Sequence, residues 1–269
     1  MIVSKTPLRI SFFSGGSDTP AFYKREDGAA LSVTIDKFIH VIVRKTPNLP
    51  IKTMFDVVDE SDNIEEMKHI ISRESLKLFN IDSEITIASL SDIFSNGSGL
   101  GSSSAFTVGL VNSLFKINNT DALKETIARR ACDIEMNRCG YPVGKQDQYA
   151  ASYGGFNLLK FYGNGNVRVR KIYNDNIPRL NDNLLLVYSG RGRVGNDFLQ
   201  KQSDAMLNDE KFNKVRQNRD LAFEGIKYIL SGDLDSFGDL LHQSWINKRQ
   251  IVNDITEDLT LDVSEKKIN

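Results

Sequence analysis

The stretch Gly97-Ser98-Gly99-Leu100-Gly101-Ser102-Ser103-Ser104 decides the reading of this chain. It follows an alternating segment, Glu84 to Leu90, that reads as a strand, and it opens an apolar run, Ala105 to Phe115, that reads as a buried helix. Glycines at alternate positions let the backbone approach a ligand closely and adopt positive φ. The helix start then offers free N–H groups and the positive end of a dipole, which together suit a phosphate group. The serine hydroxyls can reach phosphate oxygens or a metal ion. A flexible Gly/Ser turn has the same composition, but a linker has no reason to feed a core helix.

Upstream, Pro7 to Phe13 reads as a strand running into Ser14-Gly15-Gly16-Ser17-Asp18. Arg9 and Asp18 bracket this turn and could grip a polyhydroxylated ligand; the residues alone fit equally an ordinary hairpin with a surface ion pair. Leu31 to Arg44 alternates and gives one or two strands, and Asn63 to Phe79 has helical spacing through Ile64, Met67, Ile71 and Leu78. Downstream, Thr120 is positioned to cap a helix with the face Leu123, Ile127, Ala131 and Ile134, ended by Gly140. Glu135 lies near the C-terminus of that helix, where an acid opposes the dipole and needs another reason to be present. Asp147, beside Lys145 near a helix start, suits proton removal or charge stabilisation.

The second half begins with a hairpin, Phe156 to Phe161 and Val167 to Ile172 around Gly163-Asn164-Gly165. Leu184 to Tyr188 reads as a buried strand. Two helical stripes follow: Ala222, Phe223, Ile226, Ile229 and Leu230, closed by Gly232, then Phe237, Leu240, Leu241 and Trp245. A literal G-x-G-x-x-G occurs at Gly190 to Gly195. It lacks the repeated βαβ context of a dinucleotide site, and its Arg193 fits an anionic substrate group instead. His40, His69 and His242 are scattered and read as structural. A composition shift near Asn181 divides the chain into residues 1–180 and 181–269.

Composition narrows the partners. With 34 Lys plus Arg against 35 Asp plus Glu, the net charge of -1 gives no bulk reason to bind nucleic acid or an anionic membrane. No apolar run approaches the roughly 20 residues of a membrane span, and the N-terminus lacks a secretory pattern. Cys132 and Cys139 lie too far apart along one helix for a disulfide. These features point to a reduced, cytoplasmic protein without nucleic-acid or membrane partners, with a homodimer left open.

In order along the chain, TPLRISFF, the Gly15-Gly16 turn with Asp18, GSGLGSSSAFTVGL, Glu135 and VGKQDQYAASYGGFN resemble the GHMP small-molecule kinases, over about residues 1–250. Within them the pattern is most similar to the D-glycero-D-manno-heptose 7-phosphate kinases; fucose kinases share parts of it. The resemblance implies an α+β fold with a ribosomal-protein-S5-like N-terminal domain that binds ATP, followed by a ferredoxin-like C-terminal domain. It implies ATP and Mg²⁺ as cofactors and transfer of the γ-phosphate to the anomeric hydroxyl of a heptose 7-phosphate. A fucose kinase, or a non-catalytic relative that binds sugar phosphate or nucleotide, are the alternatives. By the same resemblance, Gly97, Ser98, Gly99, Leu100, Gly101, Ser102, Ser103 and Ser104 would cradle the nucleotide phosphates. Ser103 and Glu135 would hold Mg²⁺, and Asp147 would accept the proton of the sugar hydroxyl. Arg9 and Lys145 would offset phosphoryl charge, Gly15, Gly16 and Asp18 would meet the sugar, and Arg193 its phosphate. Three departures stand out. Ser14 replaces a glycine, Phe94-Ser95-Asn96 replaces the proline before the phosphate loop, and no glycine-rich third motif follows Arg249. The C-terminal domain is therefore expected to be incomplete and its sheet edge open.

Overall fold

The computed structural model describes residues 1–93, 97–187, 200–201 and 203–251. The chain forms two compact units, the first made of Met1–Ile10 and Thr34–Gly155, the second of Ser11–Val33 and residues 156–269. The composition shift near Asn181 does not coincide with this division, because residues 156–180 fold with the second unit. Two long strands, β1 (Ile2–Phe13) and β2 (Gly28–Lys45), pair with each other and contribute to both units.

In the first unit, the C-terminal half of β2 pairs antiparallel with β5 (Ile85–Ser91). β5 pairs parallel with β3 (Ile51–Met54), which pairs antiparallel with β4 (Val58–Ser61). Ile39, Val41 and Val43 are buried while their neighbours are less so, the period of a strand covered mainly on one face. The covering helix is α3 (Ser102–Ile117), buried nearly all round. Gly109 sets its approach: a Cβ there would lie 2.7 Å from Thr6 Oγ1 and 2.9 Å from Ser4 Oγ. Ser4 Oγ also donates to the Gly109 carbonyl at 2.9 Å. The glycine thus lets α3 seat directly on β1, and this fixes where the loop before α3 stands.

The segment Asn63 to Phe79 is not one helix. It divides into a 3₁₀ turn (Ile64–Glu66) and α2 (Ile70–Leu78). The sequence holds two caps: Asn63 Oδ1 accepts from Glu65 N at 3.0 Å, and His69 Nδ1 accepts from Ser72 N at 3.3 Å. Likewise Thr120 is not a cap. Its hydroxyl donates to Asn118 O, and α4 (Lys124–Cys132) begins after Leu123. A π-helix (Asp133–Arg138) continues α4, and α5 (Gln146–Tyr153) follows. Both cysteines are free.

In the second unit, β2 pairs through Gly28 to Val33 with β6 (Phe156–Phe161), and β6 pairs with β7 (Val167–Lys171). The helices are α1 (Pro20–Tyr23), α6 (Asn176–Asp182), α7 (Asp209–Ser231) and α8 (Leu234–Ile251). Phe22 stacks on Phe212 at 4.5 Å, and Phe237 meets Phe12 and Phe13 edge-on.

Two expectations fail here. Leu184 to Val187 is exposed and takes no strand conformation, since no described strand pairs with its backbone; Tyr188 lies outside the described residues. The apolar stripe of α8 is also out of phase. Phe237, Ser244, Asn247 and Ile251 are buried, whereas Leu240, Leu241 and Trp245 are only half-buried. A polar network takes the buried positions. The segment Gly190 to Gly195, with Arg193, and the segment after Ile251 lie outside the described residues.

Candidate active site

The site of the first unit grows from the loop Gly97 to Gly101. Gly97, Gly99 and Gly101 all have positive φ, at 71°, 72° and 76°. Gly101 is the N-cap of α3, and no side chain caps that helix start. Its first-turn N–H groups are thereby available to an anion, the arrangement that phosphate prefers. A Cβ on Gly101 would stand 3.3 Å from Asp147 Oδ2 and 3.4 Å from Arg9 Cγ. The loop therefore presses its backbone against these two side chains.

Arg9 ties the parts together. Its backbone N–H donates to Leu100 O at 3.0 Å, and its Nη1 donates to Gly99 O at 2.7 Å. Its Nε and Nη2 donate to Asp147 Oδ1 and Oδ2 at 2.7 and 2.6 Å. This is the planar fork that arginine forms and lysine cannot. Asp147 lies in the first turn of α5, where a carboxylate is favoured by the dipole. Lys145 is the N-cap residue of the same helix.

Glu135 is almost fully buried at 1% exposure. Its Oε1 accepts from Thr107 Oγ1, and its Oε2 accepts from Ser104 Oγ at 2.8 Å and from Gln148 Nε2. Burial pushes its carboxyl up to about 7, against the pull of those hydrogen bonds, and the nearby Asp147 charge adds to the rise. The π-turn that carries it is a rare local geometry, frequent at functional sites. The sequence assigns Ser103 and Glu135 to a metal ion; Ser103 is exposed, and Ser104, the next residue along α3, is the serine hydrogen-bonded to Glu135. Thr107 and Gln148 were missed altogether. Both are polar residues at buried positions, legible only as exceptions to the apolar pattern around them.

The turn Ser14 to Asp18 belongs to the second unit. Gly15 and Gly16 have φ of 65° and 99°. Ser17 N donates to Ser14 O, Thr19 N and Oγ1 both donate to Gly16 O, and Ser14 Oγ donates to Asp18 Oδ1 at 3.3 Å. Ser17 is fully buried, with its hydroxyl on Ala29 O at 2.8 Å. The expected site residues thus fall into two sets. Arg9, residues 97–104, Glu135, Lys145 and Asp147 lie in the first unit, and Gly15, Gly16 and Asp18 in the second.

Residues 62–155 match the family described as the GHMP kinases N terminal domain. That segment contains the glycine loop, Glu135 and Asp147. It is a GHMP kinase N-terminal domain. Over 277 aligned positions the chain is 29% identical to the D-glycero-alpha-D-manno-heptose 7-phosphate kinase of Campylobacter jejuni, covering 96% of this chain and 80% of that one. It is 25% identical to the bifunctional fucokinase/GDP-fucose pyrophosphorylase of Arabidopsis thaliana, over 89% of this chain and 25% of that longer protein. The fold superposes on a D-glycero-D-manno-heptose 1-phosphate kinase from Bacteroides thetaiotaomicron with a TM-score of 0.80 at 21% identity, covering 99% of this chain and 83% of the other. The α+β architecture is that of the GHMP kinases. Among the described residues, no helix is long and apolar enough to cross a membrane, and no group of three or more His, Cys, Asp and Glu side chains could hold a metal by itself.

Proposed function

We propose that this chain is an ATP-dependent sugar kinase that transfers the γ-phosphoryl group to the anomeric hydroxyl of D-glycero-D-manno-heptose 7-phosphate. The observation that carries the reading is the triple grip of Arg9 on Gly99, Leu100 and Asp147, which couples the glycine loop to a carboxylate. Phosphoryl transfer asks for positioning and charge neutralisation more than for covalent help. The uncapped start of α3 and the loop backbone would cradle the nucleotide phosphates. Asp147 would take the proton of the attacking hydroxyl as its oxygen bonds to the γ-phosphorus and the bond to the bridging oxygen of ADP breaks. Arg9 keeps the carboxylate oriented and, with Lys145, offsets charge on the phosphoryl group. Gly15, Gly16 and Asp18 would hold the sugar, and Arg193 its phosphate.

The donor set fits Mg²⁺. A buried carboxyl without a cationic partner among its hydrogen-bond donors, beside serine hydroxyls at a phosphate-binding helix start, matches an ion that takes one or two carboxylates plus phosphate oxygens. Glu135 and Ser103 would hold it, and Ser104 and Thr107 would orient Glu135. The ion would neutralise charge on the nucleotide phosphates.

The similarity to the Arabidopsis fucokinase supports a second acceptor, free fucose. An ADP-release assay over sugars and sugar phosphates, with phosphorus NMR of the product, tests both. Turnover of heptose 7-phosphate to an anomeric phosphate is expected. Preference for fucose selects the second reading, and phosphorylation at another hydroxyl refutes the stated position.

A further inference from the structure

Helices α7 and α8 bury two carboxamides. Asn218 of α7 is fully buried, and Asn247 of α8 is 3% exposed. Asn218 Nδ2 donates to Ser244 O at 3.3 Å, and its Oδ1 accepts from Asn247 Nδ2 at 3.2 Å. Asn247 Oδ1 in turn accepts from Gln243 Nε2 at 3.1 Å. Buried carboxamides cost free energy unless every group is bonded, and an apolar pair would join two helices with less risk. Asparagine is also a poor helix former. This network therefore calls for a reason beyond packing.

Its reach supplies one. A Cβ on Gly15 would lie 2.7 Å from Asn218 Cβ and 3.1 Å from Asn218 Nδ2. The backbone of Gly15 thus rests on Asn218 at a distance that only glycine permits. On its other side the turn is closed by the Thr19 hydroxyl on Gly16 O and by Ser17 on Ala29 O. Asn218 is the floor under the turn, and Asn247 locks the rotamer of that floor.

We infer that Asn218, held by Asn247, is a positioning residue that sets the height of the Gly15–Asp18 turn and thereby how the acceptor sugar is bound, without touching the sugar. The inference rests on the assignment of that turn to the acceptor. A pure helix-register role, the best-attested use of buried asparagines, would stabilise α7 and α8 and leave the turn unaffected.

The test compares Asn218→Ala and Asn247→Ala with Val215→Ala, a control at another fully buried position of α7. Amide hydrogen exchange is followed at Ser17 and Thr19, whose N–H groups close the turn. ATP and acceptor KM are measured in the same preparations. Both asparagine variants should speed exchange at these two amides about tenfold beyond any change in Val215→Ala and raise acceptor KM about tenfold, with ATP KM within about twofold. Equal exchange in all three variants, or ATP and acceptor KM moving together, overturns the inference in favour of register. Faster exchange with an unmoved acceptor KM also overturns it. A native chain that turns over no sugar or sugar phosphate refutes the kinase reading instead, and the exchange rates still decide whether Asn218 sets the turn.

Discussion

Arg9 holds Asp147 through two parallel hydrogen bonds, Nε to Oδ1 and Nη2 to Oδ2, and donates from Nη1 to the Gly99 carbonyl. One side chain thereby fixes the carboxylate and the glycine loop in a single frame. Strand β1 supplies the arginine, the loop before α3 the carbonyl, and α5 the acid, so the frame exists only when the first unit is folded.

Asp147→Asn keeps one acceptor for Arg9 but cannot take a proton. Turnover should fall by about 10² to 10⁴-fold, the usual contribution of a general base, with ATP KM little changed. Arg9→Lys loses the fork and the loop contact together, so it should lower turnover and raise ATP KM. Steady-state kinetics under conditions where chemistry is rate-limiting check both. Near-normal turnover of Asp147→Asn would remove it as the base.

Gly101→Ala tests the loop geometry. Its φ of 76° is unfavourable for alanine, and the new Cβ would press on Asp147 and Arg9. ATP KM should rise at least about tenfold, and the protein should lose about 1 kcal/mol from the left-handed conformation alone. Isothermal titration with a non-hydrolysable ATP analogue and urea denaturation separate the two effects.

Glu135→Gln retains the shape and loses the charge. With a donor N–H₂ in place of one oxygen, the side chain can no longer accept from both Ser104 and Thr107, and it binds a hard cation poorly. The Mg²⁺ concentration for half-maximal turnover should rise about tenfold or more, with less change at saturating metal. An unchanged Mg²⁺ requirement would exclude Glu135 as the ligand.

Glu135 and His69 give opposite pH dependences of stability. Burial raises the Glu135 carboxyl from 4.5 to about 7, so its contribution is complete at low pH and is lost as pH rises through about 7. Burial lowers His69 from 6.5 to about 4, so its contribution is complete above 6.5 and is lost as pH falls towards 4. Each effect is on the order of 3 kcal/mol. Between pH 4.5 and 6.5 they offset each other. In metal-free buffer, Glu135→Gln should therefore show stability rising with pH across this window, and His69→Gln should show it falling. Urea midpoints at half-unit pH intervals give the slopes, and parallel profiles in both variants would contradict the opposition.

Local chemistry in the sequence was enough to place the glycine loop at a helix start, the long β2, the β6–β7 hairpin and the Gly232 end of α7, because each depends on neighbours a few residues away. The division of α2 was also written locally, in the caps Asn63 and His69, but periodicity masked it. Leu184 to Val187 has strand composition and lacks a strand partner among the described residues; pairing is a property of two segments, and one segment cannot declare it. The same holds for the sites. The residue types of Arg9, Glu135 and Asp147 were visible, but the fork between positions 138 apart, and the hydrogen bond from Ser104 to Glu135, were not. A helix rotates about 100° per residue, so a shift of one position decides which hydroxyl meets a carboxylate on another helix. The burial of Ser244 and Asn247 in place of Leu241 and Trp245 has the same origin: the amphipathic pattern sets a helix face only to within a residue, and the partner helix decides the rest.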